Sequence, residues 1–119
     1  MNWAVYIITN EINGKVYIGI TNERFKDIYD RLEDHIQLTR DGGKYTSSGR
    51  KYALHAAIEK YGETNFNIDY LERDLSLEEA QTLETHYIIE YESLANGINS
   101  NGYNLSYGGE EPDYDPDYV

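Results

Sequence analysis

The sequence predicts a small mixed α/β domain, a three-stranded, mainly antiparallel sheet flanked by helices. Three observations carry this expectation. Asn13-Gly14 joins two runs rich in β-branched and aromatic residues, Trp3 to Thr9 and Val16 to Thr21. Phe66 to Leu71 alternates apolar and polar residues and reads as another strand. Three further stretches repeat apolar residues at helical spacing. The length, 119 residues, suits one domain with a modest core.

Taken in order, the first element is a hairpin. With Asn13-Gly14 as a two-residue type I′ turn, partner numbers sum to 27, so Tyr6 faces Thr21 and Tyr17 faces Asn10. One face then collects Tyr6, Ile8, Asn10, Tyr17, Gly19 and Thr21. The other collects Val5, Ile7, Val16, Ile18 and Ile20, all apolar. A helix is expected over 27–40, with Ile28, Leu32, Ile36 and Thr39 on one stripe, ended by Asp41-Gly42-Gly43. Arg31 and His35, four apart, are neighbours on it. A polar loop from Lys44 to Lys51 carries Lys44, Arg50 and Lys51. Tyr52 to Tyr61 forms a second helix with Leu54, Ala57, Ile58 and Tyr61 in step, closed by Gly62. Ser76 and Glu79 make a capping box that opens the longest helix, to about Leu94. Its stripe is Ala80, Leu83, Glu84, Tyr87, Ile88 and Tyr91, with one carboxylate among apolar neighbours. Tyr103 to Tyr107 reads as a short edge strand stopped by Gly108-Gly109. The expected organisation is therefore a domain over 1–109 and an acidic, unstructured tail over 110–119.

Charge is distributed unevenly. The chain holds 10 Lys+Arg against 22 Asp+Glu, a net −12. Residues 1–60 hold 9 of the basic residues and 8 acids; residues 61–119 hold Arg73 alone against 14 acids. The first half can face an anion while the second stays acidic. With no Cys, disulfides, a thiol nucleophile and a Cys-ligated zinc site are excluded. No apolar run reaches the length of a membrane span and no secretory leader is visible, so a cytoplasmic, intracellular location is expected, with no membrane partner.

Glu84 is the first candidate for chemistry, because a carboxylate on an apolar stripe is costly to bury unless it is paired or binds a metal. The histidines His35, His55 and His86 form no metal-ligand pattern, and His35 draws interest only through Arg31. The rest of the set is the phenol pair Tyr6 and Tyr17 and the basic loop.

These residues make the chain resemble the GIY-YIG endonucleases, particularly the freestanding phage-type members. Ala4-Val5-Tyr6 stands for the first triplet, with its leading Gly-Ile replaced and the Tyr kept; Tyr17-Ile18-Gly19 is the second, intact. Arg31 and His35 fit the family's helix motif, and Glu84 in Leu83-Glu84-Thr85-His86-Tyr87-Ile88 fits its metal-binding Glu. Gly102 to Gly109 resembles the closing segment, with Asn104 matching the family's Asn. Ala57 to Gly62 and Asn65-Phe66 add to the likeness, which spans about residues 3–109.

The resemblance implies a metal-dependent DNA endonuclease of mobile-element or phage type, acting in the host cell if phage-encoded. Tyr6, Tyr17, Arg31, His35 and Glu84 are the expected catalytic residues, with one divalent ion, Mg2+ or Mn2+, on Glu84. Gly19, Lys44, Arg50, Lys51 and Asn104 are the expected substrate-binding residues, Gly19 by leaving room for a close backbone approach. An Arg forks onto phosphate oxygens and suits Arg31 to the transition state. A phenol is a poor base unless its anion is stabilised, and Tyr6 is the favoured base. The expected partners are DNA and, given the acidity, a separate DNA-recognition protein. Two alternatives stand beside this: a structure-selective nuclease subunit that borrows DNA binding from a partner, and a catalytically inactive binding module.

Overall fold

A computed structural model describes residues 1–95 and 100–107. Strands β1 (Trp3–Asn10), β2 (Val16–Asn22) and β3 (Phe66–Leu75) form one antiparallel sheet in the order β2-β1-β3. Helices α1 (Ile28–Arg40) and α2 (Ala53–Tyr61) lie between β2 and β3 in sequence, and α3 (Leu77–Glu90) follows β3. The architecture is the one the hydropathy pattern predicts.

Both faces of the sheet are covered. Tyr6 and Ile8 pack with Ile28, Leu54, Ala57 and Ile58, so α1 and α2 close the tyrosine-bearing face. Val5 and Ile18 pack with Leu75, Ala80 and Ile88, so α3 closes the apolar face. The strict period of two along β1 and β2 sorts the residues to these faces. Two capping boxes start the outer helices: Asp27 with Asp30 on α1, and Ser76 with Glu79 on α3.

The hairpin register differs from expectation by two residues. Tyr6 pairs with Gly19 and Ile8 with Tyr17. The connection is longer than an Asn-Gly turn because two side chains hold it open. Asn10 Oδ1 accepts from the Ile12 amide and Asn13 Oδ1 from the Lys15 amide, so only Gly14 takes positive φ, at 77°. A shift of two preserves parity, so Tyr6 and Tyr17 stay on one face.

Three boundaries also move. β3 runs on to Leu75 through register shifts opposite Val5. α3 stops at Glu90 rather than near Leu94, where Glu92 enters the left-handed region at φ 53°. Residues 103–107 form no strand. Gly102 bridges Val16 in parallel, and at Asn104 the side chain replaces the backbone against β2, accepting from the Ile18 amide and donating to the Ile18 carbonyl at 2.8 Å each. The expected tail over 110–119, with Gly108-Gly109, lies outside the described residues.

Candidate active site

A cleft of about 280 Å³ opens where β2, α1, α2, α3 and the segment around Asn104 converge. Its walls include Tyr17, His35, Tyr52, Glu84, Asn104 and Ser106. Tyr17 comes from β2 and His35 from the buried stripe of α1. Glu84 sits on α3, one turn before buried Ile88, which holds it at the cleft rather than in open solvent.

Tyr6 lies behind Tyr17, only 1% exposed, with ring centroids 6.4 Å apart. Burial pushes the Tyr6 phenol upward, and the charge and hydrogen bonding of Arg31 act against that. Burial also pushes the Tyr17 phenol upward, with Tyr6 and Glu84 adding to the effect. Both phenols are therefore protonated at neutral pH in the protein alone. Arg31 is held by Asp34 at 3.3 Å, and its Nε is buried with no partner among the described residues. Gly19 is explained by Tyr6: a Cβ there would lie 2.3 Å from the ring and hydroxyl. That corrects the expectation that Gly19 leaves room for substrate, since the phenol fills the space.

Glu84 is half-buried, and burial alone raises its carboxyl from 4.5 to about 7. Among the described residues it makes no hydrogen bond or ion pair. No group of three or more His, Cys, Asp or Glu among them gathers as a metal cage. A single open carboxylate fits a hard cation that keeps several waters and shares substrate phosphate oxygens.

The histidines form a chain that the sequence reading missed. His35 is 8% exposed and His55 1%. His35 Nδ1 lies 3.1 Å from His55 Nε2, and His55 Nδ1 accepts from the Lys44 amide at 3.0 Å. Burial first, then neighbouring positive charge, holds His35 down to about 3 and His55 to about 4, so both are neutral. Tyr52 stacks on His55, and the edge of His35 meets Tyr17. The available signal was a His among the buried residues Leu54, Ala57 and Ile58 of a helix that reads as core.

The remaining expected substrate-binding residues divide. Lys44 is exposed beside the cleft, its Nζ 5.5 Å from the Tyr52 ring. Lys51 is engaged with Glu59 at 2.7 Å. Arg50 closes a small loop through its backbone, its amide donating to Thr46 Oγ1. Asn104 lines the cleft but is 5% exposed, and its amide is spent on Ile18 and on the Ser93 hydroxyl. It fixes β2, and with it Tyr17, in place.

The model of the GIY-YIG catalytic domain matches residues 2–103. The segE protein of Enterobacteria phage T4, provisionally named an endonuclease, is 36% identical over 107 residues. That match covers 88% of this chain and 41% of segE, so the chain spans less than half of that relative's length. Two solved structures share the fold at TM-score 0.66 and 24% identity. One is the catalytic domain of the intron endonuclease I-TevI as a Glu-to-Ala variant, covering 92% of this chain and 99% of that one. The other is the catalytic domain of homing endonuclease I-TevI, covering 87% and 98%.

Proposed function

The chain belongs to the GIY-YIG family, and from that premise we propose that it is a metal-dependent DNA endonuclease of mobile-element or phage type, with residues 1–109 as its catalytic unit. The observation that carries this reading is the half-buried Glu84 carboxylate, without a partner among the described residues, in one cleft with Tyr17 and His35, with Tyr6 behind Tyr17 and Arg31 against Tyr6.

Each side chain has work suited to its chemistry. Glu84 would hold one Mg2+ or Mn2+ ion, which when bound polarises the phosphate and stabilises the 3′ leaving oxygen. Arg31 carries a planar fork of donors, and its buried Nε has no partner among the described residues, so a donor remains for a phosphate oxygen in the transition state. Tyr17, on the cleft wall, is placed to activate or orient the attacking water. Tyr6 supports it from behind: Arg31 touches Tyr6 and acts against the burial that raises its phenol. The His35 ring lines the same space. Lys44 at the rim draws the backbone of DNA inward. The acidity of the chain, a net −12, favours a separate DNA-recognition partner and keeps a structure-selective nuclease subunit as the second reading. Among the described residues no helix is long and apolar enough to cross a membrane.

A cleavage panel tests the reading. Plasmid DNA and nicked, flapped and branched duplexes are incubated with Mg2+, Mn2+ or EDTA. Metal-dependent cleavage of plasmid supports the first reading, and cleavage of branched substrates alone supports the second. No cleavage of any substrate, with or without metal, would refute both and leave a binding module.

A further inference from the structure

We propose that His55 is a positioning residue that locks His35 in the tautomer with its proton on Nε2, so that the cleft receives a hydrogen-bond donor and not a base. The argument begins from one donor whose direction is fixed. The Lys44 backbone N–H can only donate, and it meets His55 Nδ1 at 3.0 Å. His55 Nδ1 therefore carries no proton. A neutral imidazole keeps one, which must be on Nε2. That nitrogen lies 3.1 Å from His35 Nδ1 and donates to it. His35 Nδ1 is thereby an acceptor, and its own proton sits on Nε2. This last nitrogen is buried, has no partner among the described residues, and belongs to a ring that lines the cleft.

A buried N–H without a partner is costly unless a ligand completes it. The atom it suits is an anionic oxygen, such as a non-bridging phosphate oxygen. The reverse tautomer would present a lone pair to that oxygen and repel it. The basic loop thus acts through its backbone as well as its charge: the Lys44 amide sets His55, and His55 sets His35. Among sequence features, neither histidine's spacing shows this, because the relay crosses from α1 to α2 and ends on a loop amide.

The rate part of the test rests on the nuclease reading; the tautomer part does not. The full chain, labelled with 15N at histidine, is examined by two-bond proton–nitrogen correlation spectra near neutral pH. Wild type should show Nε2-protonated, neutral rings at both His35 and His55. His55→Gln can donate from the position of Nε2 and should keep the His35 tautomer and most of the cleavage rate. His55→Leu can neither donate nor accept there, so nothing holds His35 Nδ1 as an acceptor; its Nδ1-protonated tautomer should become populated, and kcat should fall in proportion to the rings that lose the Nε2 proton. A wild-type His35 protonated on Nδ1 would overturn the proposal, as would a His35 that stays wholly Nε2-protonated in His55→Leu. Should His55→Leu fail to fold in a thermal melt, the wild-type spectrum and the His55→Gln variant still decide. A wild type that cleaves nothing yet shows both Nε2-protonated rings would contradict the nuclease reading and support the relay.

Discussion

Glu84→Gln should stabilise the folded chain at pH 8 and leave it nearly unchanged at pH 4, while abolishing metal-dependent cleavage. The fold raises the Glu84 carboxyl from 4.5 to about 7 by burial alone. A raised carboxyl means that the folded state prefers the neutral form. Its contribution to stability is fully present below pH 4.5 and is lost as pH rises through about 7. Each pKa unit is worth about 1.4 kcal/mol, so the upper bound on the penalty above pH 7 is roughly 3 kcal/mol. Glu84 is partly exposed, and water screens part of that, which leaves about 1–2 kcal/mol. Glutamine has the same shape and no charge, so it removes the penalty without opening a cavity. With an unfolding entropy of about 0.25 kcal/mol/K for a chain of this size, the Tm of the variant should exceed that of wild type by roughly 4–8 °C at pH 8. The difference between the two proteins should vanish toward pH 4, where both side chains are neutral. Mg2+ should raise the Tm of wild type at pH 8 and not that of the variant. The assay is a set of thermal melts of both proteins at pH 4, 6 and 8, with and without Mg2+. A variant less stable than wild type at pH 8, or a difference that does not change with pH, would refute the argument from burial.

Other outcomes follow from the same geometry. Arg31→Lys should lose on the order of 100-fold in single-turnover cleavage, because the charge remains and the fork of donors does not; an unchanged rate would remove Arg31 from the reaction. Gly19→Ala places a Cβ 2.3 Å from the Tyr6 ring, and should destabilise the fold by roughly 1–3 kcal/mol in denaturant unfolding. An unchanged midpoint would mean that Tyr6 does not rest on Gly19. Deleting residues 110–119 removes five acids and changes the net charge from −12 to −7. DNA binding should tighten at low salt, and the gain should shrink as salt rises; equal affinities at low salt would confine the tail to a solubilising role.

Much of this site can be read in the sequence because it depends on parity and periodicity. Residues 6 and 17 fall on one face whether the hairpin partners sum to 27 or, as found, to 25. Arg31 and His35 share a side of α1 because they are four apart, and Glu84 stands out as the carboxylate in an apolar stripe. What could not be read depends on contacts between distant segments. The turn lengthened because Asn10 and Asn13 side chains bind nearby amides, which the Asn-Gly signal does not encode. The expected edge strand failed because the Asn104 side chain, not its backbone, pairs with β2. Gly19 looked like an approach for substrate, and only the register shows that Tyr6 covers it. His55 looked like one of several unclustered histidines until α1 and α2 packed together.

The most direct measurement compares wild type and Glu84→Gln on one duplex DNA, each with Mg2+ and with EDTA, using protein shown to be folded by melting. Cleavage by wild type with Mg2+ alone, and by the variant under neither condition, is the predicted result. Cleavage that survives EDTA, or a Glu84→Gln variant as active as wild type, would contradict the assignment of this cleft as a metal-dependent nuclease site.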